Sequence, residues 1–297
     1  MAGIDIRFRF RNWCGSLVGA WLALFLTTVA AQAADGGDAN DLVLIRSGTL
    51  PILLTVPHGG RDAIPGVPER DAARPRRKTG QWADFNKGSD TDSDALALRI
   101  AAAIEVATGG KPYLVAAKFR RAFIDANRPA DVAYDSDEAG HVYTRYHAAI
   151  RRFVDELRER FPAAILIDVH GQHKDPDVVM RGTLNGKSVA RLIRRAGQDA
   201  MTGPRGLFGQ LEAHGLGVFP RNDVPLRGTA ENAGFNGGYT VAIYGSDRPD
   251  GIDAVQLEVG TRYRRRAALD ESGQAIGRAI AAFHAAYLKD GGEAGRR

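Results

Sequence analysis

The chain has 297 residues, of which 44% are hydrophobic, 25% charged and 8% aromatic. This composition excludes a disordered chain, a collagen-like repeat and a disulfide-stabilised scaffold. Forty Lys and Arg residues against 35 Asp and Glu residues give a formal net charge of +5, with the two signs interspersed. A dedicated nucleic-acid-binding protein, which needs a concentrated basic surface, is therefore disfavoured.

The first 33 residues have the sequence of a secretory signal peptide. Three arginines between positions 7 and 11 form a positive leader, residues 17–29 are apolar or small, and residues 31–33 form a small-residue cleavage signal. The apolar run is shorter than the ~20 residues that a membrane-spanning helix needs. We expect an exported protein, periplasmic or secreted, without stable membrane association. Cleavage would also remove Cys14, the only cysteine, and with it any thiol chemistry.

The rest of the chain predicts one domain in which strands and helices alternate. We expect a linker at residues 34–40, the domain at 41–290 and a disordered tail at 291–297. The predicted strands are 50–56, 113–119, 163–169, 178–180, 241–244 and 254–257, and the predicted helices are 94–107, 142–161, 188–201, 207–214 and 267–288. Residues 62–87 are rich in Pro, Arg, Asp and Gly and predict a long surface loop. The alternation predicts a three-layer α/β fold whose central sheet is mostly parallel or mixed.

Two histidines follow directly on predicted buried strands. His58 comes after the strand at 50–56, and His170 comes after the most apolar strand, at 163–169; each precedes a glycine. Ligands of such sheets bind at the carboxyl ends of the strands. A single histidine at a strand end is weak evidence, because ordinary buried histidines occur there too. Two at one edge, with carboxylates nearby, favour a metal site.

Several carboxylates are candidates for the same site. Asp90, Asp92 and Asp94 precede a predicted helix, where aspartate also serves as an N-cap residue. Asp168 lies two residues before His170 and points to the same face of the strand, either as a ligand or as a hydrogen-bond acceptor for a ligand. Glu258 ends another predicted strand; beside a metal it would be a general base, and otherwise a surface glutamate.

A loop after the strand at 113–119 carries Asn127 and Arg128. A guanidinium beside an amide can bind a substrate carboxylate, although a turn in which Asp125 pairs with Arg128 fits the spacing equally well. Arg120 and Arg121 lie just upstream, and one of them could face the same pocket. Tyr239 follows two glycines and belongs either to a mobile lid or to a plain turn.

Seven short motifs in this order resemble the N-formylglutamate amidohydrolase family, over residues from about 51 to 265. They are Pro57-His58-Gly59-Gly60, Asp90 ahead of Ala95-Leu96-Ala97, Asp125-Ala126-Asn127-Arg128-Pro129, Tyr146-His147, Leu166-Ile167-Asp168-Val169-His170-Gly171, Phe235-Asn236-Gly237-Gly238-Tyr239 with Tyr244-Gly245, and Gln256-Leu257-Glu258. Each is weak singly, whereas seven in order are specific. The resemblance implies a zinc-carboxypeptidase-like (phosphorylase/hydrolase-like) fold and hydrolysis of an amide bond next to a carboxylate.

The resemblance also implies roles for particular residues. One Zn²⁺ per chain is expected on His58, Asp90 and His170, with Glu258 accepting a proton from the attacking water and Arg121 stabilising the oxyanion. Asn127, Arg128 and Tyr239 are expected to bind the substrate.

The sequence offers three candidates for the third metal ligand. The wider zinc-carboxypeptidase group takes its carboxylate ligand three residues after the first histidine, and that position here is Arg61. Asp90 is therefore favoured, with Asp62 and Asp92 as alternatives.

These observations together predict an exported zinc-dependent amidohydrolase. Its substrate would be an N-acyl amino acid of the N-formyl type or a γ-glutamyl amino acid, which makes a small acidic molecule or a peptide fragment its expected partner. Two alternatives use the same zinc site: a metallocarboxypeptidase and a cell-wall peptide amidase. A third, of another class, is an inactive periplasmic solute-binding protein that has kept the fold.

Overall fold

The computed structural model describes residues 42–74, 85–226, 228 and 231–289. The signal peptide, Cys14, the linker and the tail predicted above lie outside these residues. Within the described ranges, no helix is both long enough and apolar enough to cross a membrane.

Seven strands in the described residues form one sheet, in the spatial order β1-β3-β2-β4-β7-β5-β6. The strands are β1 (Val43–Arg46), β2 (Ile52–Val56), β3 (Tyr113–Ala117), β4 (Ile165–Gln172), β5 (Val178–Gly182), β6 (Gly217–Phe219) and β7 (Asp253–Gly260). The helices of the same residues are α1 (Ser93–Thr108), α2 (Ala130–Ala133), α3 (Asp137–Arg160), α4 (Ala190–Ala196), α5 (Asp199–Thr202), α6 (Leu207–Ala213), α7 (Tyr239–Tyr244), α8 (Thr261–Arg264) and α9 (Leu269–Tyr287).

The sheet is mixed and has helices on both faces. Strands β3, β2, β4 and β7 run parallel to one another, whereas β1 and β5 run antiparallel to their neighbours β3 and β7. Side chains alternate along each strand, so Ile52 and Leu54 pack with α1 and α9, while Leu53 packs with α3 and α7 on the other face. The predicted three-layer α/β fold is confirmed.

Helix α3 shows why some boundaries differ from the prediction. It begins five residues before the predicted start, because the side chain of Ser136 accepts a hydrogen bond from the backbone N–H of Ala139 at 3.3 Å and caps the helix. Its apolar residues Tyr146, Ile150 and Phe153 are buried against the sheet, as the helical spacing predicts.

Two of the predicted elements are wrong. Residues 241–244, predicted as a strand, belong to helix α7, in which Val241 and Tyr244 are buried one helical turn apart. The run is β-branched and aromatic, but packing against the α3 face overrides that propensity. The single helix predicted at 188–201 is divided into α4 and α5, because Gly197 has a φ of 74° and ends α4.

The order of the strands places a crevice between β2 and β4. The chain leaves β2 towards β3 on one side, and after β4 it continues to β5 and β7 on the other side. The two connections therefore diverge at neighbouring carboxyl ends, which is the arrangement where α/β sheets bind their ligands. His58 and His170 both lie at this point.

Helix α3 contacts α7 through His147, whose protonation should affect stability. Its Nε2 donates to the carbonyl of Ala126 at 3.0 Å, and its Nδ1 accepts from the Tyr244 hydroxyl at 3.0 Å. Burial lowers the pKa of His147 from 6.5 to about 4. Between pH 6.5 and about 4, the imidazole of His147 is therefore neutral in the folded protein and protonated in the unfolded chain.

We expect acid to weaken the fold through His147. Between pH 6.5 and about 4 this residue should lower the free energy of unfolding by up to about 1.4 kcal/mol for each pH unit. Urea unfolding of His147→Gln from pH 4.5 to 7 should show a shallower pH dependence than the parent protein. His141→Gln changes an exposed histidine of the same helix and should keep the parent slope. An unchanged slope in His147→Gln would contradict the argument.

Candidate metal centre

His58, Asp90 and His170 meet at the carboxyl ends of β2 and β4. One ligand atom from each lies within 4.8 Å of the other two. The backbone N–H of Asp90 donates to the carbonyl of His58 at 3.0 Å, which brings residues 32 positions apart in sequence side by side. Gly59 allows this approach, because a side chain at that position would overlap the first turn of α1 at Asp94.

The ligand atoms are directed at one another. Nδ1 of His58 lies 3.5 Å from Oδ2 of Asp90, and Nδ1 of His170 lies 3.0 Å from the same oxygen. The two rings are edge-on at 4.9 Å. Nδ1 of His58 is buried and has no hydrogen-bond partner among the described residues, which is costly unless another group, such as a cation, binds there. Two imidazoles and a carboxylate are a donor set that suits Zn²⁺ and also accepts other divalent ions.

Each histidine is oriented by a buried carboxylate on its other ring nitrogen. Nε2 of His58 lies 2.7 Å from Oδ1 of Asp125, and Nε2 of His170 lies 2.9 Å from Oδ2 of Asp168. Thr55 Oγ1 in turn donates to Asp168 Oδ1 at 2.6 Å. These bonds place the proton on Nε2 and leave Nδ1 available as a ligand, the arrangement by which carboxylates orient metal-binding histidines.

Asp125 is the residue of this centre that the sequence analysis missed. Its spacing suggested a turn with Arg128, and this turn is present, because the Arg128 N–H donates to the Asp125 carbonyl at 3.1 Å. The side-chain carboxylate of Asp125, however, lies between His58 and Arg121. The available signal was its position in the same loop motif as Asn127, two residues upstream.

Asp125 and Asp90 remain ionised although they are buried. Burial raises the pKa of Asp125, but the opposing effects of His58 and Arg121 are larger together and hold that pKa well below its usual range. Likewise, burial raises the pKa of Asp90, but the interactions with His170 and His58 outweigh this effect and hold that pKa well below its usual value. Burial lowers the pKa of His170, but Asp168 and Asp90 raise it well above the usual value. The centre is therefore built to hold positive charge.

Glu258 lies beside the centre on β7. The parallel register of β4 and β7 pairs Glu258 with His170. Glu258 is 6% exposed, and its carboxylate accepts a hydrogen bond from Gln256 Nε2. Burial raises the pKa of Glu258 to about 7. A carboxylate that exchanges a proton near neutral pH is suited to general acid and base chemistry.

Of the two upstream arginines, Arg121 faces the centre. It donates from Nε and Nη2 to Oδ2 of Asp125, at 2.9 and 2.7 Å, and is 7% exposed. Arg120 is directed away and pairs with Glu69 at 3.4 Å. The structure therefore places Arg121 behind Asp125 and His58, and its expected role at the oxyanion stays a prediction.

Asn127 connects the centre to helix α7. Its side-chain oxygen accepts hydrogen bonds from the backbone N–H and the hydroxyl of Thr240, at 2.8 and 3.1 Å. Its Nδ2 lies 3.3 Å from His170 Nε2. Gly238 packs so closely on this amide that a side chain there would overlap it. The structure thus shows Asn127 holding α7 in place, and its expected contact with substrate stays a prediction.

Arg128 and Tyr239 lie half-buried near Asn127. Arg128 Nη1 donates to the Asn127 carbonyl at 2.9 Å, and the Arg128 carbonyl accepts from the Tyr143 hydroxyl at 2.9 Å. Tyr239 is the first residue of α7, and its ring lies 6.0 Å from that of His147. Their substrate-binding role also stays a prediction.

The two alternative ligands lie outside the group of three. Asp92 precedes α1 with a φ of 61° and forms an ion pair with Arg61. Asp62 is exposed and contacts the backbone of Phe119 through a β-bridge. Arg61, at the position where the wider group has its carboxylate ligand, pairs with Asp92. Asp90 is the carboxylate that lies against both histidines.

We expect Asp125→Asn to weaken metal binding by roughly 10- to 100-fold, because the amide no longer supports the basicity and orientation of His58. Competition with a chromophoric chelator measures this affinity. Asp131→Asn, at an exposed aspartate of the adjoining helix α2, is the matched control and should bind as the parent does. Equal affinity in Asp125→Asn and the parent would contradict this role.

Comparison with known proteins supports the family that the motifs resemble. The model of the N-formylglutamate amidohydrolase family matches residues 133–263, a range that includes His170, Tyr239 and Glu258. The solved N-formylglutamate amidohydrolase of Ralstonia eutropha shares 18% identity and a TM-score of 0.51, over 81% of this chain and 96% of that one, and shows the same fold. No curated protein is significantly similar.

Two other solved structures are more distant. A gene product of Agrobacterium tumefaciens has 14% identity and a TM-score of 0.49, over 81% of this chain and 95% of that one. A bacteriophage poly-γ-glutamate hydrolase has 14% identity and a TM-score of 0.37, over 82% and 89%. The family model agrees with the resemblance found in the motifs, because residues 133–263 match the sequence of the N-formylglutamate amidohydrolase family.

Proposed function

We propose that the chain is a zinc-dependent amidohydrolase that cleaves the amide bond of an N-acyl amino acid of the N-formyl type or of a γ-glutamyl amino acid. The observation that carries this proposal is the convergence of His58, Asp90 and His170, with Glu258 in register beside His170. A solute-binding protein would need neither a buried ligand atom without a partner nor a general base next to it.

In this mechanism each residue has a separate task. His58, Asp90 and His170 would hold the cation, while Asp125 and Asp168 orient the two imidazoles. The bound cation supplies Lewis acidity, which makes water a better nucleophile and polarises an amide carbonyl. Glu258 accepts the proton of the attacking water on its carboxylate and delivers it to the leaving nitrogen.

We assign the carboxylate of the substrate to the polar region of the site formed by Asn127, Arg128 and Tyr239. The side-chain oxygen of Asn127 accepts two hydrogen bonds from Thr240, so Asn127 supports this region of the site. We assign the carboxylate of the substrate to the guanidinium of Arg128, with Tyr239 beside it at the start of α7. An acyl amino acid bound in this way would present its amide to the metal centre.

The experiment that tests this function combines metal analysis with a substrate panel. We expect about one zinc per chain, because the centre has a single set of three ligands. We also expect chelator-sensitive hydrolysis of N-formyl, N-acetyl or γ-glutamyl amino acids. Cleavage of peptides instead would indicate a carboxypeptidase or a cell-wall peptide amidase. Binding of these compounds without turnover or metal would indicate the solute-binding protein.

Glu258→Gln separates the base from the metal in the same experiment. Removing the carboxylate should lower kcat by roughly 10²- to 10⁴-fold, the usual contribution of a general base, while zinc content stays unchanged. Glu271→Gln changes an exposed glutamate of α9 and should leave both quantities as in the parent. Full turnover in zinc-loaded Glu258→Gln would show that Glu258 is not the base.

We further propose that the protein is exported, on the sequence of residues 1–33. Expression of the full chain in a Gram-negative host should yield a periplasmic protein whose N-terminus is Ala34. Sequencing of the purified protein from its N-terminus measures this. Recovery of the uncleaved chain in the cytoplasm would contradict export.

A further inference from the structure

A buried arginine outside the ligand set connects the segments that carry Asp90, His170 and Glu258. Arg264 is the last residue of α8, and its side chain is folded back under the centre with 6% of its surface exposed. Nε donates to the carbonyl of Val259 at 2.9 Å, and Nη2 donates to the carbonyl of Gln172 at 3.2 Å. Nη1 donates to the carbonyl of Thr91.

Each of these carbonyls belongs to the segment of one residue of the centre. Thr91 directly follows Asp90, Val259 directly follows Glu258, and Gln172 lies two residues after His170. Thr91 and Gln172 are 173 and 92 positions from Arg264 in sequence. One planar guanidinium therefore fixes the relative positions of three distant segments through their backbones.

Gly171 provides the space for this guanidinium. A side chain at position 171 would overlap the guanidinium carbon of Arg264, so the two must lie in direct contact. The backbone N–H of Gly171 donates to Oδ2 of Asp90 at 3.1 Å, which is also the oxygen that faces both histidines. Gly171, which contacts the guanidinium of Arg264, therefore also binds the ligand oxygen of Asp90 directly.

The charge of Arg264 is accommodated by the same centre. Burial lowers the pKa of Arg264, and the carboxylates of Asp90, Glu258 and Asp92 act in the opposite direction. The hydrogen bonds of the guanidinium go to backbone carbonyls, so these carboxylates stay available for other partners. An arginine whose only task was to fasten α8 would need the Val259 bond alone.

We propose that Arg264 is a positioning residue of the metal centre, which sets the geometry of Asp90, His170 and Glu258 by binding the backbone of all three segments. This inference rests on the proposed function, because it concerns the geometry of the same centre. A lysine keeps the charge, but its N–H donors all lie on one nitrogen. It therefore cannot reproduce three bonds that leave the three nitrogens of a planar guanidinium. The proposal therefore predicts that the guanidinium shape is required.

The test compares Arg264→Lys with Arg262→Lys. Arg262 lies on the same short helix, is exposed and pairs with Asp177 at 3.2 Å, so its variant controls for changes in α8. Cobalt(II) replaces the native metal, and its visible absorption reports ligand geometry independently of activity. We expect Arg264→Lys to alter this spectrum and to bind the metal roughly 10- to 100-fold more weakly. Arg262→Lys should match the parent in both.

A parent-like cobalt spectrum and affinity in a folded Arg264→Lys protein would overturn the proposal. If Arg264→Lys does not fold, Gly171→Ala is judged by the same spectrum, because the added methyl displaces the guanidinium without removing it. A changed spectrum in Gly171→Ala then supports the proposal, and a parent-like spectrum overturns it.

Failure of the proposed function gives a different result. If the parent protein binds no metal, the metal-dependent function is wrong, and the NMR signals of the His58 and His170 side chains in the metal-free protein test Arg264 instead. Shifts in Arg264→Lys that are absent in Arg262→Lys would support positioning. Unchanged signals in both variants would overturn it.

Discussion

The parallel pairing of β4 with both β2 and β7 is the constraint on which the centre depends. It sets Leu53 opposite Leu166. The end of β2, which leads to His58, therefore lies next to the end of β4, which carries His170. It also sets Glu258 opposite His170 on the other side. A slip of one residue in either ladder would turn these side chains to the opposite face of the sheet. Because both faces of these strands are buried, such a slip would also misplace the core side chains on both sides, so the register that packs the core is the one that aligns the polar residues.

Burial of charge is the second requirement of this arrangement. The groups behind the ligands are paired in chains: Arg121 with Asp125 and His58, and Thr55 with Asp168 and His170. Removing one member of a buried pair typically costs about 3–5 kcal/mol, because the remaining charge is left without compensation. Stability and function are thus coupled here, since the groups that orient the imidazoles also neutralise each other within the fold.

The sequence predicted those parts of the fold and centre that depend on local pattern. Strand β4 is visible as a continuous apolar run, and the helical face of Tyr146, Ile150 and Phe153 as apolar periodicity. His58 and His170 are visible as polar residues at strand ends. The strand predicted at 241–244 failed because burial against α3, which no local pattern reveals, decides its conformation. Asp125 and Arg264 were missed for a similar reason, because the partners that place them at the centre lie far away in sequence: His58 is 67 positions from Asp125, and Gln172 is 92 positions from Arg264.

The hydrogen bond between the Asp90 N–H and the His58 carbonyl closes residues 59–89 into a loop, and both ends of this loop are fastened at the metal centre. Closing a longer loop costs little, about 0.6 kcal/mol for each doubling of its length. Ile64, Val67 and Arg70 of this loop are buried, so a change of length leaves the ligands undisturbed only at its exposed positions, such as residues 71–74. Evolution can rebuild the surroundings of the centre through this one segment, acquiring new substrates while the histidines and their carboxylate stay in place.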